Sequence, residues 1–453
     1  MNRFIKNSIT CIVLISMVAG SSCKKTFFTK ANIDPNAPEP SSIVPSVLLS
    51  TVEGSLGYTQ GGDFSRYTSL ITQQTKGISR QAEGYYQYTF TSVDFDSPWG
   101  NFYTSVLENN KILMQLADSK GDNAYGGISR ILMAYSIQLG VDCWGSIPYS
   151  DAFKGSTNLQ PKYDTDKALY DTINNLLNTA VTQLGAGKGP DAPGSEDVIF
   201  GGSTTKWIKF AHAIKARLLM HQSKGNAAMA TSALSEIGLS FSSNSDNAVY
   251  MFGSTETSAN PWYQFNEQRA DIGFDVSPLG VKMLADGDPR FDIYTDTSYN
   301  DVNGVGMGPY YGNINSPVEF ITYDEMLFAK AEATITSGGT IAAAQTIYQA
   351  AITANMQKLG VAAADIATYI TANGTLPATA TAAIAQIAAE EYVALYLNPE
   401  AFTAWRRTAS PALTPVTGTN IPRRFLYPQT EYSYNKANVA ASTLFAPKVF
   451  WDN

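Results

Sequence analysis

Apolar residues recur at spacings of three and four along most of the chain, which is the period of an amphipathic helix. The pattern predicts helices over residues 44–59, 99–116, 127–140, 164–183 and 205–222, and again over 323–336, 341–359, about 362–371 and 381–397. In the fourth of these Leu169, Ile173, Leu176, Leu177 and Ala180 form one stripe that runs on to Leu184; in the fifth, Trp207, Phe210, Ala211, Ile214 and Leu218 form another. From 241 to 318 the period is lost. Gly, Asn, Ser, Pro and aromatic residues dominate there, predicting long ordered loops with short pieces of strand or helix. The end of the chain, with Pro411, Pro415, Pro422, Pro428 and Pro447, is irregular in the same way. The expected fold is therefore mainly α, with a helical scaffold over about 43–240 and 319–410 and a large loop-rich lobe made of about 241–318 and the C-terminal segment.

Small residues sit where neighbouring helices would touch: Ala329, Ala331 and Ala333 in one, Ala342, Ala343, Ala344, Ala350 and Ala351 in the next. This is similar to the helix pairs of tetratricopeptide repeats, in which small side chains allow antiparallel helices to approach closely. A generic helical bundle with Ala-rich contacts is the alternative, since no clean repeat period is visible.

The N-terminus has a different pattern. Arg3 and Lys6 precede an apolar run from Ile9 to Val18, and Ala19, Gly20, Ser21 and Ser22 lead to Cys23. Such an order predicts a lipoprotein signal peptide over 1–22, with Cys23 lipidated as the first mature residue. The apolar run is too short to span a bilayer. An ordinary secretory signal with Cys23 as an incidental thiol is the alternative. Residues 23–42, with Pro35, Pro38 and Pro40, read as a lipidated extended tether, and 43–453 as the body. With Cys23 acylated, Cys143 has no partner for a disulfide, and beside Trp144 it reads as a buried hydrophobe.

Composition narrows the function. Asp and Glu total 39 against 31 Lys and Arg in a chain of 453 residues, and no basic block occurs, which argues against nucleic acid as a partner. Catalytic patterns are absent too. His212 and His221 point to opposite faces of one helix at 100° per residue, so they cannot share a metal, and His221 falls on the apolar stripe. Glu390 and Glu391 diverge by about 100° and do not face each other as an acid and base pair. The loop LGAGKGPDAPG lacks the spacing of a phosphate loop, and DGDPRFDIYTD lacks the glycine and terminal Glu of a calcium loop. No cofactor or metal is expected.

Aromatic residues carry more information, at 11% of the chain against 15% charged. The runs EGYYQYTFTSVDFDSPWGNFY and NPWYQFNEQR place aromatic rings among Asn, Asp, Gln and Arg. Flat rings stack on pyranose faces while such neighbours hydrogen-bond the hydroxyls, which is the chemistry of a glycan site. The candidate platform is Tyr85, Tyr86, Trp99, Trp262 and Tyr263. For Trp99, core packing is an equal alternative; the other four, in polar Gly and Asn surroundings, are expected to be the more exposed.

Six segments in order, from CKK…NIDPNAP through ILMAYSIQLGVDCWGSIPYSDAFKG, WIKFAHAIKARLLMHQS, DPRFDIY and EEYVALYLNPEAFTAWRRT to IPRRFLYPQTEYSYN, carry a resemblance to the SusD/RagB family of outer-membrane nutrient-binding lipoproteins. The resemblance implies a scaffold of tetratricopeptide-like helix pairs and a loop-rich lobe bearing the ligand surface. It also implies a lipid anchor on the outer membrane facing the cell exterior, and a SusC-like TonB-dependent transporter as partner. Its matched motifs imply structural roles: Trp207 and Leu218 pack, Pro148 shapes a turn, and Arg217 and Arg406 or Arg407 pair with carboxylates such as Glu391. The leading expectation is a non-enzymatic binding protein that delivers a neutral oligosaccharide or polysaccharide to the transporter. A peptide or another nutrient as ligand, or a solenoid adaptor with no small ligand, are the alternatives.

Overall fold

Helix starts are written into the sequence as caps. The side chains of Thr165, Ser203, Asn226, Thr340 and Thr379 each accept a hydrogen bond from a backbone N–H in the first turn of the helix that follows, satisfying donors that would otherwise have no partner. A computed structural model describes residues 44–296 and 306–452. The signal segment, Cys23 and the tether lie outside the described residues.

The α-helices of six residues or more are α1 Pro45–Thr59, α2 Ser65–Ile71, α3 Arg80–Tyr86, α4 Asp96–Asn101, α5 Glu108–Lys120, α6 Asn123–Trp144, α7 Asp166–Gly185, α8 Thr204–His221, α9 Ala227–Leu239, α10 Pro261–Gln268, α11 Pro278–Asp286, α12 Tyr323–Thr336, α13 Ile341–Lys358, α14 Ala363–Asn373, α15 Ala380–Ala394, α16 Glu400–Thr408 and α17 Gln429–Tyr434. A π-helical turn, Gln60–Phe64, joins α1 to α2. The strands are short: β1 Lys76–Gly77, β2 Ala248–Met251, β3 Ile272–Gly273 and β4 Pro317–Ile321, with β1 antiparallel to β3 and β2 antiparallel to β4. The mainly α expectation holds. From Pro45 onward the chain is one compact unit, and the β2–β4 pair stitches the 241–318 stretch to the helices.

Consecutive helices pack on one another: α6 with α7, α8 with α9, α12 with α13 and α15 with α16, while α9 also meets α12. Helix α6 is buried almost all round, as a helix apolar on every face must be. Gly127 makes the α6–α7 approach possible, because a Cβ there would lie 2.6 Å from Leu184 Cγ. In the second half Phe328, Tyr348, Ile352 and Ile387 form a core into which Ala331, Ala344 and Ala351 fit as small spacers. Ala342, Ala343 and Ala350 instead face outward. The C-terminal segment, though irregular, is part of the interior: Phe425 N–H donates to Cys143 O at 2.8 Å, and its ring packs on Phe64, Phe95 and Trp144. Burial pushes the Cys143 thiol well up, as a packed hydrophobe requires.

Arginine pairing is more specific than expected. Arg217 holds Glu325 through two 2.7 Å contacts, and Arg407 holds Glu332, with Nη2 2.7 Å from Oε2. Glu391 is therefore not the carboxylate that either arginine grips, and its Oε2 has no hydrogen-bond partner; burial keeps this carboxyl well above the usual range. Arg406 grips no carboxylate at all. It donates to Arg423 O and Asp142 O and lies over Phe402 and Trp451.

Glu53, fully buried on α1, accepts from Val198 N–H at 2.8 Å. Burial first, and then the neighbouring Asp197 carboxylate, raise its pKa well above the usual value. A carboxyl raised on folding contributes stability that is complete below the unfolded value and is lost as pH climbs through the folded one. Glu53→Gln, neutral at every pH, is expected to gain on the wild type in melting temperature as pH rises above about 5; thermal melts from acidic to neutral pH check it.

Candidate functional site

Segments distant in sequence form the walls of one cleft. The π-turn and α2 supply Asp63, Arg66, Tyr67 and Leu70; α3 supplies Gln81, Ala82 and Tyr85; α10 and the strand entry after it supply Phe265, Gln268, Arg269, Asp271 and Ile272. The cleft holds about 270 Å³. The β1–β3 ladder fixes two of these walls relative to each other, pairing Lys76 with Gly273 and Gly77 with Ile272. Gly77 is required there, because a Cβ would sit 1.9 Å from Ala82 O at the start of α3.

The polar groups are arranged in pairs. Arg66 meets Asp63 at 2.5 Å, and its guanidinium lies 4.9 Å from the Phe265 ring centre, a cation–π distance. Asp271 is almost wholly buried, and its Oδ1 accepts from Ser79 Oγ and lies 3.2 Å from Arg80 Nη1. Asp271 Oδ2 has no hydrogen-bond donor. A buried carboxylate oxygen left this way costs on the order of 1–3 kcal/mol. Arg80 reaches Asp271 from a left-handed backbone, φ 50°, a conformation more often tolerated at functional sites.

The five aromatic residues expected as a platform do not form one exposed surface. Tyr85 and Tyr86 lie on helix α3, not a loop, and both are buried. Tyr85 stacks on Phe90 at 4.4 Å and donates its hydroxyl to Asp94; burial raises its pKa far above the usual value. It still lines the cleft. Trp262, only 3% exposed, donates Nε1–H to Ser65 Oγ at 2.9 Å and packs on Phe274, which makes it the anchor of α10. Tyr263, on the same helix, is half-buried. Trp99 is buried against Tyr103, Trp144 and Tyr427. The expected exposure fails because α3 and α10 fold their large rings inward, where burying each one is worth more than leaving it in water. Phe265, one turn beyond Trp262, is the α10 ring that faces the cleft. The polar lining residues Asp63, Arg66, Gln81 and Asp271 carry no sequence signal; the run NPWYQFNEQR does hold Phe265, Gln268 and Arg269 together.

Two other recesses carry less. The crevice beside Trp262 holds about 20 Å³, enough for water and too small for a sugar ring. A cleft of about 290 Å³ between α11 and α14 and α15 has its charges closed on one another, Lys282 with Asp286 and Arg290 with Asp288 and Glu390. Among the described residues, Asp142, His221 and Glu400 bring three metal-type ligand atoms within 4.8 Å. Each is already engaged: His221 Nδ1 meets Tyr170 Oη and Nε2 meets Glu400 Oε1, both at 2.8 Å, Tyr170 donates to Asp142, and Arg217 lies 3.5 Å from Glu400. That is a packed internal network, with His221 a satisfied core residue; His212 points elsewhere and pairs with Glu236.

The profile of a family described as SusD-like, starch-binding and associating with the outer membrane matches residues 35–428. The chain belongs to the SusD-like family. Solved structures agree in fold: a SusD/RagB family protein from Bacteroides thetaiotaomicron is 22% identical over 91% of this SusD-like chain and 99% of its own, with a TM-score of 0.73. A chitin-binding protein is 23% identical over 90% and 100%, with a TM-score of 0.76, and a chitin-binding SusD homolog from Flavobacterium johnsoniae is 20% identical over 90% and 97%, with a TM-score of 0.71. No curated protein matches the chain. Among the described residues no helix of this SusD-like protein is long and apolar enough to cross a membrane.

The assignment of Trp262 as anchor and Phe265 as cleft wall separates two variants. Trp262→Ala is expected to lower unfolding free energy by about 3–5 kcal/mol, and Phe265→Ala, at a half-buried ring, by clearly less; urea titrations of both measure the difference.

Proposed function

We propose that this SusD-like protein is a non-enzymatic glycan-binding lipoprotein, which takes oligosaccharide or polysaccharide nutrients into the cleft between α2, α3 and α10 and hands them to a SusC-like TonB-dependent transporter. The observation that carries the reading is the cleft itself, which sets the Phe265 and Tyr85 rings beside the Gln81 and Gln268 amides. Rings for pyranose faces and amides for hydroxyls are what a sugar needs. Membership in a family described as starch-binding, and fold neighbours described as chitin-binding, support the same ligand class.

Native gels containing a panel of polysaccharides test the binding step. At least one is expected to retard the wild type, and Phe265→Ala with Gln268→Ala is expected to abolish the retardation while leaving the melting transition cooperative. Cells carrying that double variant should take up the same glycan more slowly, which checks delivery. Retardation by no polysaccharide would contradict the reading, and peptide binding in the cleft would replace it.

The same reading places the body at the cell exterior on acyl chains at Cys23, motivated by Ala19 to Ser22 before that cysteine and by the family's association with the outer membrane. Each acyl CH₂ buried in lipid contributes about 0.8 kcal/mol. Cys23→Ala is expected to lose labelling by a palmitate analogue and to leave the membrane fraction; a labelled variant would show the anchor to be elsewhere.

A further inference from the structure

Charge at the cleft is matched inside the protein with a single exception. Asp63 is paired with Arg66 at 2.5 Å and Asp271 with Arg80 at 3.2 Å. Arg269 also lines the cleft and is exposed, and its guanidinium has no ion-pair, hydrogen-bond or ring partner among the described residues. Its backbone N–H closes α10 by donating to Phe265 O at 2.7 Å, and its own dihedrals are extended, so the side chain leaves the helix one turn after Phe265 and two residues before Asp271. The cleft thus sets a ring, an amide and an unpaired planar cation within five residues, Phe265, Gln268 and Arg269.

A neutral glycan can stack on the ring and accept from the guanidinium through its hydroxyls, but it leaves the positive charge unmatched. A guanidinium presents a fork of N–H donors that matches a carboxylate or sulfate, and charge-assisted bonds of that kind are about twice as strong as neutral ones. Resting on the glycan reading above, we infer that the cleft selects sugars carrying an anionic substituent, a uronate carboxylate or a sulfate ester, with Arg269 holding the anion while the Gln81 and Gln268 amides take hydroxyls. This replaces the neutral ligand that composition alone suggested. The ligand's anion stands on Arg269, and the Asp271 carboxylate is already balanced by Arg80.

Matched pairs of probes test it: polygalacturonate against its carboxyl-reduced form, and a sulfated galactan against its desulfated form, each titrated into the full chain by affinity electrophoresis. The anionic member of at least one pair is expected to bind about five- to tenfold tighter at low salt, with the ratio falling as salt rises and collapsing to about one in Arg269→Gln. Which pair shows the ratio separates uronate from sulfate. Equal affinity within both pairs, or a ratio unchanged in Arg269→Gln, would overturn the inference while leaving glycan binding intact; retention of no probe would overturn the inference, and the wider polysaccharide panel then decides the glycan reading.

Discussion

Arg217 is the point on which the scaffold turns. From the middle of α8 it grips Glu325 on α12 through two hydrogen bonds, donates to Phe320 O on β4 and lies 3.5 Å from Glu400 on α16. Glu400 then meets His221, His221 meets Tyr170 on α7, and Tyr170 donates to Asp142 on α6. One buried polar chain therefore joins five helices and a strand. Burial pushes the Glu400 carboxyl up, yet His221 and Arg217 bring it to a net position below the usual value, so the charges hold one another in place. Removing one partner of such a set leaves an uncompensated buried charge, at about 3–5 kcal/mol, and that penalty enforces a single arrangement of helices.

The cleft inherits this rigidity through short links. Ser65 Oγ donates to Leu397 O just beyond α15 and accepts from Trp262 Nε1, so α10 is tied to α2 and α2 to the scaffold. Gln74 reaches Tyr392 O and Leu397 N, and the Tyr392 hydroxyl donates to Thr72 O, which fixes the chain between α2 and β1. Behind them Phe64, Trp144 and Phe425 pack edge to face. Phe265, Gln268 and Asp271 stand on elements that are held before any ligand arrives, which lowers the entropy that binding must overcome.

How much of this could be read from the sequence follows from how each signal arises. Helices α7 and α8 are visible because their apolar stripes carry the 3.6 period, and α6 because it is apolar nearly all round. Helix α9, AAMATSALSEIGL, was missed since its buried Ala230 and Ala233 barely contrast with the alanines and serines around them. Helices α10 and α11 were hidden by Gly- and Asn-rich surroundings, although Asn260 before Pro261 and Ser277 before Pro278 are cap and first-turn signals that outrank composition. Family membership was legible from six ordered motifs. The site was legible only in part: aromatic content pointed to sugar chemistry, but which ring faces outward depends on contacts some two hundred residues apart, such as Ser65 with Trp262, and no local pattern records them. Asp271 as an oxygen without a donor exists only once β3 has paired with β1.

The central claim is that ligand enters between α2, α3 and α10. Backbone hydrogen exchange, recorded with and without a saturating polysaccharide that retards the protein, tests this most directly. The account predicts slowed exchange concentrated in residues 80–86 and 263–273, with the α12 and α13 core unchanged. Slowing confined to the Lys282 and Tyr369 cleft, or to neither, would contradict it.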